Sequence, residues 1–483
     1  MMSLLSHSSI AVIGASAQAG KVGHDILKNL VTQGYEGKVF PVNPKGGEIL
    51  GQQAFLKVGD IPVAVDMAVI VTPAATVRGL MAECAAKQVK TVVVITAGFG
   101  ETGTEQGKLE EEAIGNIAKE HGMQLVGVNC LGLLRPALKM NASFAKELPA
   151  AGGVALISQS GALAVALMDK AQDLNLGFSL VVSIGNKTIM DECDYLKACA
   201  DDPETHVIGL YLESIKDGQR FRTLAAEVAK TKPIVLLKSG TSAHGMKAIS
   251  SHTGALAGSD SAVDALCRQT GIQRARNAGE FMDSLRMLSQ QPPLLSRRIA
   301  VITNAGGPGI LATDAAEKAG LDLASLSKAQ EDKLRLQLPP AASTKNPIDV
   351  LGDAGADRYG AALDACGLDP NIDGLVLLLT PQVMTPCEDI AKAIVQITRK
   401  FPLMPVTACF MGGKTVAAAK AYLDAEGIPT FETPEQAIAA IARMRIEIPD
   451  LPGVLARVTQ MIGASGADIV DIGGEIFRIE PLP

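Results

Sequence analysis

The chain reads as an α/β protein: three doubly wound parallel-sheet domains followed by a short C-terminal extension. Three observations predict this. Its 483 residues exceed what one ordinary core accommodates and suggest roughly three domains. Short, continuously apolar runs alternate with helical patterns along the length, as expected of strands buried on both faces of a parallel sheet. Three of those runs, at residues 10–13, 154–157 and 299–303, are almost evenly spaced, and each enters a Gly/Ser-rich turn and then a helix (GASAQAG, SQSGALA, NAGGPGILA). A period this long is not that of a solenoid and reads as three domains of one general architecture.

Taken in order, residues 1–148 form the first domain, with strands at 10–13, 38–42, 67–71, 91–95 and 124–128. Residues 149–291 form the second, with strands that include 154–157, 178–183, 207–212 and 233–237. Pro292-Pro293 interrupts the chain before the third, residues 296–444, whose strands include 299–303, 374–380 and 405–410. Residues 445–483 read as strand, Asp-x-Pro-Gly, helix and strand. A docking tail is the preferred reading there over half of an ACT-like ligand-binding domain. In sheets of this kind ligands sit beyond the carboxyl ends of the strands, so the loops that follow strands are where chemistry is expected.

Composition narrows the function. Lys+Arg of 44 against Asp+Glu of 51 gives a net charge of −7, with no basic stripe for nucleic acid. The eight cysteines are scattered, without CxxC or a His pair at metal spacing. That pattern suits the reduced thiols of a cytoplasmic protein and gives no metal site. The N-terminal residues lack the charged and apolar regions of a signal peptide, and no apolar run reaches the ~18 residues of a membrane span.

In the first domain Gly14-Ala15-Ser16 through Gly20-Lys21 joins a strand to a helix, which aims N–H groups at a phosphate. It is not GxGxxG. Where a dinucleotide site usually ends its second strand in Asp or Glu, this chain has Asn43-Pro44-Lys45-Gly46-Gly47. A lysine there suits an extra phosphate, as on the ribose of CoA or NADP; the alternative is a solvated loop lysine. Later strands lead into Thr72-Pro73-Ala74, Gly98-Phe99-Gly100 and Asn129-Cys130. Cys130 is either close to a thiol ligand or a buried structural cysteine.

In the second domain a stretch running through SGTSAHGMKAISSHTGALAGSD far exceeds the ~2–6 residues usual between strand and helix. It carries His252, with His244 ranked below it. Glu213 closes the strand at 207–212. A carboxylate bonded to one imidazole nitrogen fixes the tautomer and leaves the other nitrogen free to attack phosphorus. Ser160-Gly161 opens a helix, offering N–H donors and a positive dipole end. The bland readings are a strand-end acid and a helix cap.

The segments IAVIGASAQAGKVG, VNPKGGEILG, VTPAA, GVNCLGLLRP, ISQSGALA, YLESIKDG and SSHTGALAG occur in one order. Together, over about residues 8–445, the chain resembles the NDP-forming acyl-CoA synthetase family, related to succinyl-CoA synthetase. The resemblance implies a Rossmann-like CoA-binding domain and two flavodoxin-like domains. It implies CoA phosphates on Gly14, Ala15, Ser16, Gly20 and Lys21, with Asn43 and Lys45. It places the pantetheine along Thr72, Pro73 and Ala74, and its thiol end near Asn129 and Cys130. His252 becomes a transient phosphohistidine and Glu213 its partner. Ser160 and Gly161 form one phosphate-binding helix start, and Gly306, Gly307 and Gly309 a second, with Asn346-Pro347-Ile348-Asp349 in support. The implied reaction is reversible: acyl-CoA, phosphate and ADP give the acid, CoA and ATP.

No GxxxxGK[ST] occurs, since the position of its first glycine before Gly413-Lys414-Thr415 is Ala408. The resemblance therefore implies an ATP-grasp beta-type subunit, bearing the Mg-nucleotide, in a hetero-oligomer. Two rivals stand beside it: a catalytically inactive CoA-binding regulatory protein, and an NADP oxidoreductase, for which no Tyr-Lys or His-Asp pairing is evident.

Overall fold

The computed structural model describes residues 5–242, 244, 245, 247, 260–445, 467–473 and 476–481. The chain divides into two compact units, Met1–Leu285 and Arg286–Pro483. The first unit contains two sheets. One is built from β1 (Ser9–Ile13), β2 (Lys38–Val42), β5 (Met67–Ile70), β6 (Thr91–Val94) and β7 (Gln124–Gly127), with a short hairpin, β3 (Glu48–Ile49) and β4 (Gln52–Gln53), outside it. Its strand order is β2-β1-β5-β6-β7, all parallel. Every residue of β1, β5 and β6 is buried. Such Val/Ile-rich strands are stabilised by roughly 2 kcal/mol per buried side chain, which a polar residue on either face would forfeit.

The second sheet comprises β8 (Gly132–Arg135), β9 (Met140–Ser143), β10 (Ala151–Ser158), β11 (Phe178–Ser183), β12 (Val207–Leu212), β13 (Ile234–Lys238) and β14 (Gln273–Ala275), in the order β14-β13-β12-β10-β11-β8-β9. Strands β10 to β14 are parallel, whereas β8 and β9 form an antiparallel hairpin along β11. This hairpin was not anticipated from the sequence. It also ties the two sheets together: Asn29, on the helix Val22–Thr32, donates to the carbonyls of Ser143 (2.9 Å) and Ala145 (2.8 Å).

The second unit is built on β15 (Arg298–Thr303), β16 (Asp322–Leu323), β17 (Ile348–Asp349), β18 (Gly374–Leu379) and β19 (Val406–Phe410), in the order β16-β15-β18-β19, with β17 also on β15. All these pairings are parallel. Asn346 substitutes for missing ladder bonds: its Oδ1 accepts from Val301 N (3.0 Å), and its Nδ2 donates to Ile299 O (2.8 Å) and Ala324 O (2.9 Å). In the C-terminal extension β20 (Ala467–Gly473) and β21 (Ile476–Pro481) pair antiparallel. The Asp-x-Pro-Gly and helix expected before them lie outside the described residues.

In each sheet a strand that enters a glycine-containing turn is flanked on both sides: β1 by β2 and β5, β10 by β11 and β12, and β15 by β16 and β18. The crevice at the carboxyl ends therefore opens between β1 and β5, between β10 and β12, and between β15 and β18. Among the described residues no helix is long and apolar enough to cross a membrane.

Candidate functional site

At the first crevice Gly14 has φ 97°, and a Cβ there would lie 2.9 Å from Thr72 Cγ2 and 3.0 Å from Val71 O. Only glycine brings the β1 turn this close to the turn after β5. Asn43 Nδ2 donates to the carbonyl of buried Ala15 (2.8 Å), and its Oδ1 accepts from Lys45 N (2.8 Å). Asn43 thus braces two turns, and Lys45 is left exposed between Pro44 and the left-handed Gly46 and Gly47. Ser16 O accepts from His24 Nδ1 (3.0 Å) and its Oγ from Gln18 N (3.1 Å). Lys21 is exposed at the start of the helix Val22–Thr32, and a Cβ at Gly20 meets nothing within 4 Å. Pro73 precedes the helix Ala74–Ala86, and Gly98 packs on Ala74 Cβ, with 3.3 Å to an added Cβ. The result is an open, glycine-lined edge with two exposed lysines, suited to an extended polyanion.

Asn129 and Cys130 follow β7. Asn129 has φ 54° and donates its Nδ2 to Asn186 Oδ1 (3.3 Å). Cys130 points into the core, where its Sγ donates to Val94 O (3.4 Å), and burial pushes its thiol up to about 12. A thiol so placed stays protonated at neutral pH and serves packing, the structural member of the two alternatives.

The second crevice is more tightly built. Ser158 Oγ donates to Ser160 O (2.7 Å) and accepts from Ser160 N (3.2 Å). Ser160 Oγ accepts from Leu163 N (3.3 Å), capping the helix Gly161–Asp173. Its hydroxyl is committed to the cap, while the N–H groups of Gly161 and Ala162 have no partner within the helix. Across the crevice Glu213, 7 % exposed, follows β12. Gln159 Oε1 accepts from both Glu213 N (2.9 Å) and Ser214 N (3.2 Å), stapling the strand end to the helix start. Lys238 Nζ, at the end of β13, donates to Glu213 O (2.7 Å). Burial lowers the Lys238 pKa, against the raising influence of the Glu213 charge.

Glu213, Ser160 and Gly161 are therefore brought together. His252 lies outside the described residues, although the chain leaves the sheet towards it at Lys238, the same edge. His244 is exposed on a helical turn. Gln159, Ser214, Lys187 and Lys238 escaped the sequence reading. Of these only Gln159 carried a signal, its place between two serines ahead of a helix.

The third crevice repeats the device. Thr303 Oγ1 donates to Ala305 O (2.8 Å) and accepts from Ala305 N (3.1 Å). Asn304 Oδ1 accepts from Thr380 N (2.9 Å), and its Nδ2 donates to Thr380 O (2.9 Å). The helix Gly306–Lys318 starts here. A Cβ at Gly306 or Gly307 meets nothing within 4 Å, whereas one at Gly309 would lie 3.3 Å from Thr303 Cγ2 and 3.4 Å from Pro347 Cβ. Gly306 and Gly307 thus face open space and Gly309 allows close packing.

Comparison with known proteins agrees with this organisation. Residues 8–136 match a CoA binding domain, 151–288 a succinyl-CoA ligase like flavodoxin domain, and 299–447 a ligase-CoA domain. The alpha subunit of ADP-forming acetate–CoA ligase I of Pyrococcus furiosus is 41% identical over 447 residues, covering 91% of this chain and 96% of that subunit. ADP-forming acetate–CoA ligase I of Archaeoglobus fulgidus is 42% identical over 433 residues, 90% of this chain but only 62% of that protein. A solved structure of Ca. Korarchaeum cryptofilum dinucleotide forming acetyl-coenzyme A synthetase 1, in complex with phosphate and ADP, superposes with TM-score 0.88 at 36% identity, covering 95% of this chain and 98% of that one. The three sheets, their crevices and these likenesses lead to one conclusion: the chain belongs to the ADP-forming acetyl-CoA synthetase family and is alpha-subunit-like within it.

Proposed function

We propose that the chain is the CoA-binding and phosphohistidine-bearing half of an ADP-forming acyl-CoA ligase. Phosphate attacks the thioester carbonyl, and CoA leaves as the thiol after taking up a proton. The resulting acyl phosphate gives its phosphoryl group to an imidazole nitrogen of His252, releasing the carboxylate. Phosphohistidine then passes the group to ADP on an ATP-grasp partner subunit, regenerating the imidazole and forming ATP. Every step is reversible, so direction follows metabolite levels.

The observation that carries this reading is the second crevice, where a buried carboxylate stands opposite a capped helix start. Glu213 would hold one ring nitrogen and stabilise the positive charge that develops as the N–P bond forms. The Gly161 helix start supplies N–H donors for the phosphoryl oxygens. Gly14, Ala15, Ser16, Gly20, Lys21, Asn43 and Lys45 would receive the CoA phosphates, and Thr72, Pro73 and Ala74 the pantetheine. The subunit name borne by the Pyrococcus relative supports a partner chain, and the relatives' names support acetate or another small carboxylate as the acyl group.

The test mixes the chain with an ATP-grasp partner, acetyl-CoA, phosphate and ADP, and measures ATP. Wild type is expected to form ATP and His252→Asn none. Full yield from the variant would sink the reading. Tight CoA binding without acid-labile phosphate would favour the inactive regulatory protein instead.

A further inference from the structure

A buried ion pair at the second crevice has no part in the chemistry above. Lys187 is 4% exposed and Glu192 0%, with 3.0 Å between Nζ and Oε2. The same ammonium donates to Ser214 O (2.8 Å) and Ser214 Oγ (3.2 Å). Ser214 directly follows Glu213, and Gln159 holds both residues' N–H groups from the other side. The second oxygen of Glu192 accepts from Lys216 N (3.0 Å), while Lys216 Nζ returns to Lys187 O (3.1 Å). The segment from Glu213 to Lys216 is thus fixed along its length by polar bonds.

Lys187 is itself fixed. It sits after β11 with φ 58°, a left-handed backbone that a lysine adopts only where its surroundings impose it. Its neighbours reach to the first sheet. Asn186 Nδ2 donates to Glu101 Oε2 (2.7 Å) and Glu111 Oε2 (2.8 Å), and Thr188 Oγ1 donates to Glu111 Oε1 (2.8 Å). Those carboxylates in turn accept from Gly98 N (2.6 Å) and Gly100 N (2.9 Å), in the loop that follows β6. One turn therefore braces the first crevice on one side and the Glu213 segment on the other.

Stability alone does not account for charges here. Apolar residues of similar volume commonly replace a buried ion pair with no loss, or with a gain. What they cannot supply is a directed donor to the Ser214 carbonyl. We propose that Lys187 is a positioning residue for Glu213: by fixing Ser214 it sets the direction from which the carboxylate meets the imidazole during phosphoryl transfer. This rests on the function proposed above and adds a residue that acts through Ser214 and Glu213.

The experiment compares wild type, Lys187→Met and the double variant Lys187→Met/Glu192→Leu, each with the partner subunit. It follows acid-labile label incorporated from acetyl-CoA and radioactive phosphate, the KM for acetyl-CoA, and Tm. The single variant should lose roughly 10- to 100-fold in labelling rate while KM stays within about twofold, as for displacement of a group that acts in the transition state. The double variant should regain Tm without regaining the rate. A single variant labelled at the wild-type rate, a KM that moves as much as the rate, or a double variant that recovers rate and Tm together would each overturn the proposal. Unlabelled wild type would instead remove the functional reading, and the proposal with it, so the wild-type lane distinguishes the two failures.

Discussion

The second and third sheets present the same construction at the carboxyl ends of β10 and β15 and differ in what faces it. Ser158 and Thr303 each close a hydroxyl bracket two residues long, and Gln159 and Asn304 each staple the strand end opposite. Ser158 is in register with Tyr211, and Ile302 with Leu377, so Glu213 and Thr380 occupy equivalent places. One crevice has a carboxylate there and the other a hydroxyl. The bracket and staple are architecture that orients a helix N-terminus; in the proposed function the residue across the crevice sets the chemistry. In the proposed reaction it is the Glu213 carboxylate of the second sheet that would stabilise an imidazolium-like intermediate.

The largest contrast should come from the two equivalent positions. Glu213→Gln is expected to slow labelling of His252 by about 10²- to 10⁴-fold in rapid-quench measurements, whereas Thr380→Val should stay within about tenfold. Comparable losses would erase the distinction between the crevices. Next come the staples. Gln159→Leu leaves two buried N–H groups unmet and should cost about 3 kcal/mol in denaturant unfolding, together with the labelling rate. Asn304→Leu should cost a similar amount of stability but much less of that rate.

A pH difference also separates the units, because all six histidines precede Arg286. Burial lowers the His7 pKa from 6.5 to about 4, although the Asp66 charge opposes this. Above pH 6.5 neither state binds the proton; between about 6.5 and 4 the unfolded state does and the folded state does not. Acid therefore removes up to about 3 kcal/mol from the first unit through this group, with no histidine counterpart in the second. Hydrogen exchange should show β1 losing protection over that window in wild type and less so in His7→Leu, while the same substitution leaves β15 unaffected. Smallest in stability is Gly307→Ala, where an added Cβ meets nothing. It should stabilise the helix by about 0.5–1 kcal/mol, so a fall in activity at unchanged or higher Tm would mark Gly307 as a ligand approach. Gly161→Ala, by contrast, meets Leu131 Cβ at 3.1 Å and should lose stability.

Much of the fold was legible because apolar runs bounded by glycine leave little freedom. The strands at 38–42, 178–183 and 207–212 lie where the pattern put them. The β8–β9 hairpin was not legible: Leu133 and Leu134 are both buried and show no alternation, and Gly132 is needed because an added Cβ would fall 2.3 Å from Ala142 O. That requirement exists only once the strands are paired. Glu213, Ser160 and Gly161 could be read because a strand's last residue and a helix's first are local properties. Lys187, Ser214 and Lys238 could not, since strand order β13-β12-β10-β11 is what gathers their turns at one edge. Nor could a lone cysteine reveal its direction, and Cys130 proves to face the core.

The most direct measurement is mass-spectrometric mapping of acid-labile phosphate after the chain is incubated with acetyl-CoA and inorganic phosphate. A single modified imidazole is expected at His252, absent in His252→Asn and strongly diminished in Glu213→Gln. Phosphate at another side chain, or undiminished labelling without the Glu213 carboxylate, would contradict it.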